Sequence, residues 1–424
     1  MRKYRIISLM AAMALALSTP AASIETDRTW YLAGEAMTVS ITADDALIAY
    51  AELCDTRGLV AGTAVALRQG KGVGTVELPQ KLHSGYYALS VYTRHDSRAE
   101  QRLVAVVNPL RKSADDAIQW VATTRPDSLS YAEAAVGEDA VLNATKDADV
   151  RETEGHIIKA RVGRAADGHA FSRDQIRPTL SVVGKQIHYF EGKMADDSTA
   201  VFYTYGIGGK LPLVIQAVTT TGASLPVAMV SPFASLLPRR LPRLVFHYRR
   251  SEVEARSLDM QRHQMAIAPP KRELQIGDHA DETAEEVVPL GYDDRLFGTK
   301  PDKTYNLDEY RQFLTIREAL LEYVIEITKR KVDDATRLFI RRDYDDYNAI
   351  SPTLVLIDGM PVNDTERLLD YDARRLHYIN IYNGKYTFGR GIYSGVISFV
   401  TRSGRLTNYP VDPGAQYLVY EFPK

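Results

Sequence analysis

The sequence predicts a mainly β, multi-domain fold: two β-sandwich domains followed by a small α+β domain. Three observations carry this. Short β-type runs recur between Gly-, Asp- and Ser-bearing turns over residues 24–108, and again over 151–230. From Tyr305 onward the rhythm changes to a capped helix, an Asp-Gly hairpin and glycine-bent strands. The 424 residues hold one cysteine, Cys54, so packed cores and not internal disulfides must supply stability.

Residues 1–23 read as a secretory signal peptide. Arg2, Lys3 and Arg5 form a basic head, 6–17 an apolar run, and small residues follow. Cleavage after Ala21 or Ser23 fits the small-residue rule. The run is shorter than the roughly 20 residues of a spanning helix. No later segment is long and apolar enough, so the mature chain is expected to carry no transmembrane segment. No cysteine stands at the cleavage site, so lipid attachment there is not expected. The formal charge is −2, and loss of the leader leaves 49 basic against 54 acidic residues. A mildly acidic chain argues against nucleic acid as a partner, because phosphate binding needs a basic face.

In 24–108 the strand runs are MTVSI, IAYAEL, GTVEL and YYALSVYT. Met37, Val39 and Ile41 alternate toward one face, and Gly34 supplies a turn. Cys54 closes the alternating run AYAELC and reads as a buried small hydrophobe. The stretch TDRTWYLAGEAMTVSI, with the later SGYYALSVYT, resembles the macroglobulin MG2 sandwich domain. In that likeness Tyr31 begins a strand and Gly34-Glu35 turns into the next. Trapping members of that family carry a Cys–Gln thioester, and Cys54 lies in a different context.

Residues 109–150 read as a linker with one short helix. The second sandwich, 151–230, has strands in HIIKARV, TLSVVG, AVFYTYG and PLVIQAV, and is similar to the carboxypeptidase-regulatory type of sandwich. Residues 231–302 read as a connector, first basic (Arg239, Arg240, Arg243, Arg249, Arg250) and then acidic around ADETAEE. A helix over 251–264 is expected within it. The basic run reads as solvated and not as a lipid contact, because no clean amphipathic face supports docking on a membrane.

In 303–424, Thr315 and Glu318 have the spacing of a capping box. Ile316, Leu320, Tyr323, Val324 and Ile327 are placed on one face of the helix that follows. LFIRR is a strand, and TLVLID and MPV make a hairpin about Asp358-Gly359. A short helix over 365–369 leads to YINIYN and GVISFVT. The order suggests a small mixed sheet with helices packed on it.

This set of motifs resembles the plug domain of TonB-dependent receptors. The matching positions are 354–359, Pro361-Val362, 365–369, Ile379, Ile381, Gly384, Gly389, Gly391, 395–397 and Thr401. Sandwich domains ahead of a plug-like unit are similar to exported proteins of the Bacteroidota. The resemblance implies residence in the periplasm or at the outer membrane. It also implies a partner there: an outer-membrane barrel or another envelope protein. Receptors of this type have a barrel of about 22 strands. The twenty residues after Gly404 cannot supply one, so this chain alone is not expected to transport. Alternative readings are a macroglobulin-like inhibitor or hydrolase with an unrecognised site, and a truncated transporter.

The chemistry-bearing residues point away from an enzyme, and neither a cofactor nor a metal is expected. Residues 391–395 read Gly-Ile-Tyr-Ser-Gly, with the serine one place late for a nucleophile elbow. His-Glu-x-x-His is absent and the nine histidines are scattered. GKYTFGRG lacks the spacing and Lys-Ser/Thr ending of a P-loop. The cluster Asp343, Asp345, Asp346 and Asn348 departs from the EF-hand template at positions six and twelve, and reads as a solvated acidic loop. Tyr378, Tyr382, Tyr386 and Tyr393 form the candidate partner-binding surface, because tyrosine offers area and a polar tip. Tyr378 and Tyr382 share parity, opposite Ile379 and Ile381.

Overall fold

The structure is a computed structural model that describes residues 22–121, 140–184, 187–267, 298–332, 335–341, 352–388, 391–406 and 408–424. Residues 1–21 of the leader, the 343–348 acidic cluster, Gly389 and the acidic centre of the connector lie outside these residues. The chain divides into two compact units, 1–153 with 233–269 and 423–424, and 154–232 with 270–422. It is mainly β and multi-domain, as its alternating patterns require.

In the first unit, a three-stranded antiparallel sheet orders Ala22–Thr26, Ala36–Ala43 and Lys71–Glu77. A five-stranded sheet orders Trp30–Leu32, Glu100–Val107, Gly85–Tyr92, Ile48–Cys54 and Leu59–Ala66. Between them Ile24, Met37, Val39, Ile41, Leu53 and Leu89 form the core. The turn at Gly34 has φ 92°, which glycine adopts without steric cost.

The strands Ile48–Cys54 and Gly85–Tyr92 are buried along their whole length, so something must cover their second face. Part of the cover comes from residues that the sequence assigns to linkers. Ile118–Trp120 pairs in parallel with Leu244–Phe246. Leu244, Phe246 and Val253 then pack on Trp30, Leu32 and Tyr86. The helix runs over Arg250–Ile267, longer than expected, and buries Val253 and Ser257. Phe233 and Leu236 close a third cluster on Tyr50 and Tyr92. Residues 233–267 are therefore built into this unit, which corrects their reading as a connector. Their apolar residues are too sparse to look like core until a covered sheet face is available to receive them.

A buried carboxylate fixes this cover. Glu52 accepts hydrogen bonds from the Tyr92 hydroxyl (2.9 Å), the Ser235 amide (3.0 Å) and the Leu236 amide (2.5 Å). Such donors offset the cost of burying its charge. Beside it, Glu152 bonds the Tyr50 hydroxyl at 2.7 Å and pairs with Arg94.

In the second unit, one sheet orders Lys193–Met194, Thr199–Thr204, His156–Val162 and Val227–Met229. The other orders His188–Glu191, Ile176–Val182 and Gly209–Thr219. Gly209–Thr219 is eleven residues long and serves two further partners along one edge. Ala217 and Val218 pair with Ser224–Leu225, and Gly209 through Ile215 pair with Gln416–Phe422. The strand Gln416–Phe422 thus completes the sandwich sheet, although the sequence assigns it to the C-terminal domain.

That domain has a five-stranded mixed sheet ordered Lys303–Asn306, Leu376–Tyr382, Val396–Thr401, Leu354–Ile357 and Met360–Pro361. Leu354–Ile357 runs parallel to Val396–Thr401, and the other pairs are antiparallel. The hairpin about Asp358-Gly359 has φ 46° and 89°, the positive pair that Asp-Gly favours. The helices Ile316–Glu322 and Thr365–Leu369, with the hairpin Ile327–Val332/Ala335–Ile340, cover one face. Thr315 and Glu318 complete their capping box. The first helix ends at Glu322, so Val324 and Ile327 reach the core from a turn and a strand, not from the helix.

Candidate partner-binding surface

The four candidate tyrosines do not make one exposed surface. Ile379 and Ile381 face the helix-covered core, and Tyr382 faces the opposite side, as parity requires. That opposite side is also covered. Tyr382 is only 1% exposed and packs with Leu354, Leu356, Val396 and the sandwich residue Tyr189. Tyr386 and Tyr393 sit directly across a short hairpin and pack against the same cluster. Tyr189 and Tyr393 share a hydrogen bond, and burial pushes both phenols up. Tyr378 is half-buried, with its ring edge-on to His377 at 3.9 Å. Tyr382 is thus a core residue, because the sheet is sandwiched between two apolar layers.

A different group of exposed residues lies earlier in this domain, on and beside the helix Ile316–Glu322. Ile316, Ala319 and Leu320 bury the inner side of the helix Ile316–Glu322. Leu321 projects outward and is 76% exposed, with Leu314 at 62% and Ile325 at 67% flanking the helix. Nearby, Tyr310 stacks on Tyr323 at 4.5 Å. Three exposed apolar residues thus fall within twelve positions, on and beside one short helix. The sequence carried the signal as a second apolar spacing, 314-321-325, overlaid on the core-facing stripe. Arg317, on the same helix, bonds Glu366 (2.6 Å) and Asp370 (2.8 Å) and so ties the two helices together.

Chemistry elsewhere is sparse. Among the described residues no group of three or more His, Cys, Asp and Glu could hold a metal ion. Cys54 is buried, and its thiol is pushed up to about 12 by burial and then by the charge of Glu52. A thiol in that state is a poor nucleophile at neutral pH. A polar cavity of about 300 Å³ lies at one end of the second sandwich. Arg173, Arg177 and Lys193 line it together with Asp174 and Glu191. No described helix is long and apolar enough to cross a membrane.

No protein-family model matches the chain, and a search of curated proteins finds no match. Among solved structures it is similar to Escherichia coli alpha-2-macroglobulin in its native conformation. Identity is 12% and the TM-score 0.19, over 50% of this chain and 14% of that one. The same protein activated by porcine elastase gives 12% identity and a TM-score of 0.18, over 49% and 20%. The DIP-gamma IG1+IG2 structure gives 10% identity and a TM-score of 0.15, over 54% and 99%. The chain therefore spans well under a quarter of each macroglobulin structure.

Proposed function

We propose that this chain is an exported, non-enzymatic protein of the cell envelope. Its C-terminal plug-like domain would dock on another envelope protein, in the first instance an outer-membrane barrel. The observation that carries the reading is the solvent-facing group Leu314, Leu321 and Ile325 on and beside one short helix. The plug-type order of hairpin, helix and strands supports it.

A photo-crosslinking residue at Leu321, in the full chain expressed in a Gram-negative host, tests the docking. The expected result is a discrete adduct with a protein whose gel mobility is heat-modifiable, as folded barrels show. Leu321→Glu with Ile325→Glu should abolish it without lowering Tm. No adduct, or an adduct that survives the double substitution, counts against the reading.

Export carries its own expectation. Ala22 and Ile24 are buried, and their strand pairs Ala22 with Ala43 and Ile24 with Ile41. Cleavage after Ala21 preserves the whole strand, whereas cleavage after Ser23 removes two paired residues. Intact-mass measurement of the secreted chain should place the mature terminus at Ala22. A terminus at Ile24 would overturn this.

A further inference from the structure

Beside the polar cavity of the second sandwich the chain turns a corner. It leaves one sheet at Glu191, the end of His188–Glu191, and enters the other at Lys193, the start of Lys193–Met194. Gly192 makes the crossing. A Cβ there would come within 2.5 Å of the Phe202 ring, so glycine is what lets the backbone pass this close. The Gly192 amide donates to the Pro178 carbonyl at 2.9 Å, which fastens the corner to the strand Ile176–Val182. On that strand Ile176, Leu180 and Val182 belong to the sandwich core, and Arg177 stands exposed on the opposite face. Arg173 sits in the short turn Arg173–Gln175 that leads into the strand, where its amide donates to the Asp197 carboxylate at 3.0 Å.

These elements place five charged side chains around about 300 Å³. Three are cations, Arg173, Arg177 and Lys193, and all three are exposed. Among the described residues none of the three has a carboxylate within ion-pair distance. The two carboxylates are both engaged: Glu191 accepts from the Gly391 amide at 3.0 Å, and Asp174 has a partner as well. Cations that share one cavity repel one another, and an anion between them relieves the repulsion. A guanidinium fork takes oxyanions two oxygens at a time, and an ammonium adds a movable point charge. A phosphate monoester brings close to two negative charges and three acceptor oxygens, where a carboxylate brings one charge and two oxygens. The volume leaves room for the group that the phosphate esterifies.

We propose that this cavity binds a phosphate monoester, with Arg173 and Arg177 pairing with its oxygens and Lys193 adding the third positive charge. The site is independent of the docking surface at Leu321.

Calorimetric titration of the full chain with glycerol 3-phosphate at low ionic strength is the first test. The expected result is saturable binding, about tenfold or more tighter than that of acetate and weakened by added salt. Arg173→Gln and Arg177→Gln should each weaken it about tenfold or more. Their Tm should not change, because both side chains are exposed. Lys210→Gln removes an exposed lysine elsewhere in the same sandwich, and should leave binding as it was. Sedimentation with phosphatidylcholine vesicles, with and without phosphatidic acid, separates the sources of the phosphate. Retention that needs both phosphatidic acid and Arg177 assigns a lipid headgroup, and binding of glycerol 3-phosphate alone assigns a soluble ester. Absence of both overturns the proposal. So does acetate binding as tight as glycerol 3-phosphate, or a loss in Lys210→Gln as large as in Arg177→Gln.

Discussion

Asp358 takes two hydrogen bonds from Thr401, one from the backbone amide at 2.7 Å and one from the hydroxyl at 2.6 Å. A third comes from the Leu406 amide at 2.8 Å. The turn residue of one hairpin is thereby fastened to the end of the neighbouring strand. Both residues are buried. Burial holds the Asp358 carboxyl above the ordinary carboxylate value, while these donors pull it down. Asp358→Ala strands three buried donors and should cost about 3 kcal/mol, and Thr401→Val about 1 kcal/mol. The two losses should fall short of adding in the double variant, because the residues share one network. Urea unfolding of the four proteins measures this, and strict additivity would refute the coupling.

Tyr382 and Tyr378 lie on one strand but should behave oppositely. Tyr382→Ala empties a fully covered site and should cost about 3–5 kcal/mol. Tyr378→Ala, at a half-buried site, should cost about 1 kcal/mol or less. Thermal melts of both variants decide it, and equal losses would contradict the two-layer burial of this sheet.

Asp308 gives a pH dependence with a defined sign. Its hydrogen bond and ion pair with Arg402 hold its carboxyl below the ordinary value of 3.8, against a smaller effect of burial. A carboxylate lowered in the folded state adds stability above its unfolded value, and that gain fades as pH falls through the folded value. The Tm difference between the native chain and Asp308→Asn should therefore be present at neutral pH and vanish in strong acid. Both side chains are about one-third or more exposed, so the effect should stay under about 1 kcal/mol. A difference that grows in acid would reverse the assignment.

Cys54 should resist iodoacetamide at pH 8 in the folded chain and react fully in denaturant, since its thiol is buried and pushed up to about 12. Mass spectrometry of alkylated samples reads this directly. Rapid labelling of the native protein would place the thiol in solvent.

Local chemistry made part of this structure readable. The capping box at Thr315, the Asp358-Gly359 turn and the helix Thr365–Leu369 each depend on residues within a few positions. Strand runs such as His156–Val162 declared themselves by alternation. What stayed hidden needs partners far along the chain. Ile118–Trp120 and Leu244–Phe246 are too short to read as strands until they meet. Gln416–Phe422 does not reveal which of two sheets it joins. The burial of Tyr382 was hidden for a related reason: parity says which side of a strand a residue occupies, but not what lies against that side. The exposed Leu321 was masked because the core-facing stripe on the same helix claimed attention first.

The hold of Glu52 on Ser235 and Leu236 has a consequence for how the gene can be divided. The residues that build each unit are interleaved, so no single cut releases either one whole. A fragment ending near 232 leaves the Glu52 carboxylate in an apolar interior without two of its donors. During synthesis the same deficit lasts until Leu236 has emerged from the ribosome, by which point residues 154–232 have already been made.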